Sequence, residues 1–365
     1  MTDTDGRLHG LDFLRGIAML LGIVYHAPVI YFIDNGWFEA LDFLGIETRP
    51  QPEGSYFSWL VFSSTHLWRM PLFFILAGFF AAMIVERKGV AHFARDRAVR
   101  ITATLFVFMG IFMITLKRDL GEFNHMWFLW QLTLFSAATV AWHWAGFKLL
   151  VALKAWHLVL LLPLAMLMAQ VFREDQLQQP LALHIQDPVN LLVLTYYAPF
   201  YLIGMGLWHG RGSIQELAKT RWIVGWFVVG IAGSVLILGD PNNVRSDVVR
   251  AAASGMTTFG MSFGLIGLVQ RIVTRRYAVV AWLVEGSYAI SIFHFYPTVL
   301  AATGLELLGQ PQGVVIAGAI IGGFIASVTQ WYLFVRWTPL DALMNGPAKS
   351  RFMGWWRARQ VAKAQ

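Results

Sequence analysis

The chain has no cysteine among its 365 residues. Disulfides, thiolate metal sites, iron–sulfur clusters and a cysteine nucleophile are excluded, and with them any acyl-thioester carried on the protein itself. Charge is also scarce: Asp, Glu, Lys and Arg make up 13% of the residues, against about 25% in a soluble globular domain. So few charges cannot cover a soluble surface. Hydrophobic residues make up 57% of the chain and mean hydropathy is +0.57. No low-complexity segment, internal repeat or cleavable signal peptide stands out. The first apolar run ends in Tyr31, Phe32 and Ile33 without a small-residue cleavage site, and reads as a retained helix. The net charge of +7 implies no nucleic acid. The basic residues sit in short segments between apolar runs, where the positive-inside rule accounts for them.

The apolar stretches recur near the ~20 residues that a bilayer core demands. They predict an all-α fold, a polytopic transmembrane bundle of about ten helices. Its spans lie at 11–33, 57–85, 101–116, 126–145, 153–172, 190–208, 222–238, 251–269, 280–303 and 314–336. Pro71 is a possible break in the second span. Pro199 and Pro297 fall in the sixth and ninth, where neighbours must satisfy the freed carbonyls. With both termini inside, 20 basic residues lie inside and six outside, while Arg15 and Arg69 lie within spans. Cytoplasmic N and C termini are therefore expected. Residues 1–340 form the membrane domain. Residues 341–365 form a basic tail whose Trp355 and Trp356 suit an anchor at headgroup level.

Ionisable groups inside spans are costly, so each is a functional candidate. They are Asp12, Arg15, His26, His66, Arg69, His125, His143, His157, Glu285 and His294. Arg15 and His26 are separated by ~1100° of helical rotation, within ~20° of whole turns, and by ~16 Å of rise. They share one face, and Asp12 is placed to pair with Arg15. A snorkelling arginine and a hydrogen-bonded histidine would also fit. Arg69 lies too deep for a surface residue. It needs an anionic ligand or a carboxylate such as Glu285. Arg95, Arg97 and Arg100 open the third span, where a helix N-terminus and bidentate arginines suit phosphate. Ordinary positive-inside charge is the alternative. His125 reads as interfacial, and Ser287, Tyr288 and His294 as polar groups bridging helices. Neither an HExxH nor a carboxylate–histidine pair at ligand spacing occurs, so no metal is expected.

Together these residues resemble acyltransferase family 3, a family of membrane acyltransferases. Leu11-Asp12-Phe13-Leu14-Arg15-Gly16 with His26 matches its Arg-x10-His pattern, and Arg97-Ala98-Val99-Arg100 its Arg-x-x-Arg. Phe73 to Phe80 looks like its FF-S/A-G segment. Ser287-Tyr288 with His294 resembles its late Ser-Tyr…His-x-P helix, although here the proline falls three residues after the histidine. The resemblance covers nearly the whole chain. His66 and Arg69 leading into Phe73, the run from His125, and Tyr197 to Gly204 are most similar to the glucan-biosynthesis protein C branch, the periplasmic-glucan succinyltransferases.

The resemblance implies a multi-pass O-acyltransferase of the bacterial inner membrane. It would move an acyl group, succinyl first, from cytoplasmic acyl-CoA to hydroxyls of a periplasmic glucan. Acetylation of another envelope polysaccharide or lipid-linked sugar is the near alternative, and transport of an anionic solute the distant one. Arg15, Arg97, Arg100 and Arg95 would bind the donor, and His26 would be the general base. Arg69, His66 and Tyr288 are candidate oxyanion donors, with Arg69 also a candidate for the succinyl carboxylate. Asp12, His125, Glu285, Ser287 and His294 would contact the acceptor or serve the structure. The expected partners are acyl-CoA, a glycan acceptor and the bilayer. No cofactor is expected to be permanently bound. The oligomeric state stays open, a homodimer included.

Overall fold

Apolar residues in runs this long fold as helices, because only a helix satisfies its own backbone in hydrocarbon. The computed structural model describes residues 9–116, 123–146, 152–171, 191–210, 212–240, 246–275 and 277–364. Among the described residues the regular structure is entirely helical. The helices are α1 (His9–His26), α2 (Asp34–Phe43), α3 (Tyr56–Lys88), α4 (Val90–Arg97), α5 (Thr104–Leu116), α6 (Trp127–Trp144), α7 (His157–Val171) and α8 (Leu191–His209). They continue with α9 (Ser213–Leu217), α10 (Thr220–Leu238), α11 (Asp247–Ile272), α12 (Ala278–Phe293), α13 (Phe295–Leu307), α14 (Gln312–Gln330), α15 (Pro339–Asn345) and α16 (Arg351–Ala364). Arg7, Lys117, Arg118, Lys148, Arg173, Arg211, Arg245 and Arg276, which enter the charge asymmetry, lie outside the described residues.

Five helices are long and apolar enough to cross a membrane, and a sixth if the bent pair α12–α13 is one span. The chain is thus a multi-pass membrane protein. The other expected spans correspond to α1, α6, α7 and α8. On α10, Val224, Val228, Ile231 and Val235 are exposed at helical spacing, as a lipid-facing stripe requires. Its opposite face packs on α11, with Ile223, Trp226 and Gly230 buried. Helices α3 and α8 approach closely at two glycines. A Cβ on Gly78 would come within 1.9 Å of the Tyr201 carbonyl oxygen, and one on Gly204 within 1.9 Å of that of Ile75.

The prolines behave differently from one another. Helix α3 runs unbroken through Pro71. The carbonyl that Pro71 leaves without a donor, that of Leu67, accepts from the Thr258 hydroxyl of α11 at 2.9 Å. Interhelical hydrogen bonds of this kind are worth about 0.6–1.7 kcal/mol, and this one compensates the proline within a continuous helix. The expected ninth span is instead broken at His294, with α12 and α13 meeting at 65°. The His294 carbonyl there accepts from the Thr298 amide at 3.1 Å and its hydroxyl at 2.6 Å. The expected third span also differs. Val90–Thr115 forms one helix of 26 residues, with a π-turn at Ala98–Ala103. A 3-10 turn at Val29–Tyr31 and α2 pack against α13, and the Tyr31 hydroxyl donates to Glu306.

Candidate active site

Arg15, Met19, Gly22 and His26 follow one another at steps of four, three and four, which is one stripe of α1. Arg15 ion-pairs with Asp12 at 3.5 Å and lies 5.0 Å over the Phe80 ring. It borders a cavity of about 100 Å³ together with Arg97, Arg100, Ser287, Tyr288 and Asn345. His26, at the far end of the stripe, borders a second cavity of about 50 Å³ with His66, Arg69, His125, Tyr197 and His294. Met19, Phe73 and Phe128 line both, so the cavities adjoin end to end. One axis therefore leads from three arginines, through an apolar neck, to four histidines and an arginine.

At the histidine end the rings are in contact. The centroids of His26 and His294 are 5.1 Å apart and those of His125 and His294 5.7 Å. Phe295 lies edge-on to His26 and stacks on His125. The helix break explains the arrangement. Pro297 cannot continue the amide ladder, and the Ile292 carbonyl near the break accepts from His125 Nε2 at 2.6 Å. His294 Nδ1 donates to the Ser291 carbonyl at 2.7 Å. In the neutral ring this leaves Nε2 as a lone pair. His294 Nε2 and His26 Nδ1 are buried without a hydrogen-bond partner among the described residues. The room they occupy depends on Gly22, because a Cβ there would stand 2.7 Å from His294 Nε2 and 3.5 Å from an Arg69 terminal nitrogen.

Arg69 lies 5.3 Å over the Tyr25 ring, which also stacks on His66. Its buried Nε has no partner among the described residues. Glu285 is not its counter-ion. That carboxylate holds Arg351 in a fork at 2.5 and 2.9 Å and lies 3.5 Å from Arg336. Glu285 in turn holds the Arg351 guanidinium more firmly in its charged form. Tyr288, placed among the oxyanion donors by the sequence, stands at the other cavity, where its hydroxyl donates to the Arg100 carbonyl at 2.7 Å.

Of the three arginines of the expected phosphate clamp, Arg97 and Arg100 reach the same cavity and Arg95 does not. Arg97 packs over Phe93 and borders the cavity, and Arg100 donates from Nε to the Met344 carbonyl at 3.0 Å. Arg95 is exposed on α4 and does not line it. Nor do Arg97 and Arg100 stand at a helix N-terminus, because the helix starts at Val90. The positive charge at the cavity thus comes from guanidinium groups rather than a helix dipole. His143 and His157 make local backbone contacts, at 3.2 Å to the Thr139 carbonyl and 2.8 Å to the Lys154 amide. Among the described residues no group of three His, Asp or Glu could hold a metal ion.

The model of the acyltransferase domain of family 3 matches residues 8–336. The chain belongs to that family. No curated protein and no solved structure matches it. In this acyltransferase the matched region contains every residue named at either cavity except Asn345. Met19, Tyr25 and Asn345 carry no sequence signal of their own, and Phe73, Phe128 and Tyr197 stood out only as parts of the motifs that carry the resemblance. Gly22 was within reach of sequence reasoning, since it lies four residues before His26 on the same stripe.

Proposed function

We propose that this membrane acyltransferase is an O-succinyltransferase of the bacterial inner membrane, with about ten spans and both termini cytoplasmic. The donor is acyl-CoA at the arginine cavity, and the acceptor is a hydroxyl of a periplasmic glucan at the histidine cavity. The observation that carries the reading is the pair of adjoining cavities with unlike ends. Arginines suit the donor's phosphates, and the apolar neck suits its extended pantetheine arm. The histidines face the acceptor.

His26 takes the proton of the acceptor hydroxyl as the oxygen attacks the thioester carbonyl carbon. The tetrahedral intermediate collapses with cleavage of the carbon–sulfur bond, and the departing thiolate takes the proton back from His26. With Tyr288 at the other cavity, His66 is the nearer source of an N–H for the oxyanion. Arg69 then meets the distal carboxylate of a succinyl group. The support for succinyl over acetyl is this buried guanidinium, whose Nε has no partner among the described residues. Breaking a buried ion pair commonly costs about 3–5 kcal/mol through the charge left behind, so an anionic acyl group is a favourable occupant. Mass spectrometry of envelope glycans from cells with and without the protein tests the proposal. A succinyl mass increment that depends on the protein is expected. An acetyl increment would overturn the donor assignment, and no increment at all would overturn the acceptor.

A further inference from the structure

The match to the family domain ends at residue 336, yet the arginine cavity is lined in part by a residue beyond it, Asn345. Helix α15 delivers two groups. The Met344 carbonyl accepts from Arg100 Nε at 3.0 Å. Asn345 lines the cavity alongside Arg15, Arg97 and Arg100. One terminal nitrogen of Arg100 lies 3.4 Å from Asp96.

The segment is held at several points. Asp341, 1% exposed, accepts from Asn345 Nδ2 at 2.8 Å and from the Arg351 amide at 2.7 Å. It thereby caps the start of α16. The Arg351 side chain is tied to Glu285 on α12, the helix that carries Ser287 and Tyr288. A tail that served only to touch the membrane surface would not need a buried carboxylate at its hinge. One hydrogen of Nδ2 goes to Asp341, which leaves Asn345 one N–H and its Oδ1 as an acceptor. An acceptor beside arginines does not serve phosphate. It serves a neutral N–H of the same ligand, such as the adenine amino group or a pantetheine amide.

We infer that the strap Pro339–Arg351 completes the donor site, with the Met344 carbonyl orienting Arg100 and Asn345 Oδ1 accepting from an N–H of the bound acyl-CoA. This rests on the donor assignment above. The test is titration of the full-length protein in nanodiscs with coenzyme A, comparing wild type, Asn345→Leu, Arg351→Ala and Arg97→Ala, with a thermal melt of each. Asn345→Leu is expected to raise Kd about tenfold, the equivalent of about 1.4 kcal/mol. Arg351→Ala, which cuts the strap's tie to Glu285 but touches nothing in the cavity, is expected to raise it about threefold. If Arg97→Ala weakens binding while both strap variants stay within twofold of wild type, the strap is only structural and the inference fails. If Arg97→Ala leaves Kd unchanged, the donor site itself is misplaced and both readings fall. Should Asn345→Leu not fold, Arg351→Ala carries the test alone, because its backbone contact to Asp341 remains.

Discussion

Replacing Gly22 with alanine separates stability from function at this site. Alanine favours a helix interior over glycine by about 1 kcal/mol. Against this, the new Cβ would lie 2.7 Å from His294 Nε2 and 3.1 Å from Cε1. The imidazole cannot simply swing away. Its Nδ1 is tied to the Ser291 carbonyl, and His26 and His125 flank its ring. Overpacking of this kind costs about 1–3 kcal/mol, so the net loss of stability is about 0–2 kcal/mol. The functional effect is larger. The methyl group and the displaced ring both intrude on a cavity of about 50 Å³, and a displacement of about 1 Å at a reacting centre can cost 10²-fold. Gly22→Ala is therefore expected to insert and melt within a few degrees of wild type while losing about 10²-fold in acyl transfer, read as acylated glycan by mass spectrometry. Full activity with an unchanged melt would refute the assignment of the chemistry to the Gly22–His294 cavity.

Other perturbations follow from the same geometry. Arg69→Gln removes a charge-assisted contact worth about 1.5–3 kcal/mol, so succinyl transfer should fall about 10–100-fold, with acetyl transfer from acetyl-CoA less affected. Equal losses with both donors would place Arg69 at the oxyanion instead. Met19→Trp should plug the neck between the cavities, stopping transfer while coenzyme A still binds in titrations. Thr258→Val strips the Leu67 carbonyl of its donor and should destabilise the protein by about 0.6–1.7 kcal/mol, visible as a lowered melting temperature in detergent.

Helical periodicity made the stripe on α1 legible in the sequence, because Arg15 and His26 need only a regular helix to share a face. The helical class was legible from the lengths of the apolar runs. Other features depended on partners far away in the chain. Hydropathy begins the third span near residue 101, but the helix continues back through charged residues to Val90, so Arg97 and Arg100 looked terminal when they are not. Pro71 and Pro297 are indistinguishable as letters. One is compensated by Thr258, while near the other His125 takes a carbonyl and the helix bends. The pairing of Glu285 with Arg351 rather than Arg69 could have been anticipated from depth, since Glu285 starts its span and Arg69 lies deep in another. Asn345 could not, because it reaches the cavity only through the packing of α15 against the π-turn that carries Arg100.

On the proposed reading, one chain carries an acyl group from a donor on one face of a membrane to an acceptor on the other. Vesicles with the protein in a single orientation can be loaded with isotope-labelled succinyl-CoA on the side of the arginine cavity and given glucan only on the opposite side. Labelled glucan should form with wild-type protein and not with His26→Ala at equal insertion. Acylation that requires donor and acceptor on the same side, or that persists in His26→Ala, would contradict the account.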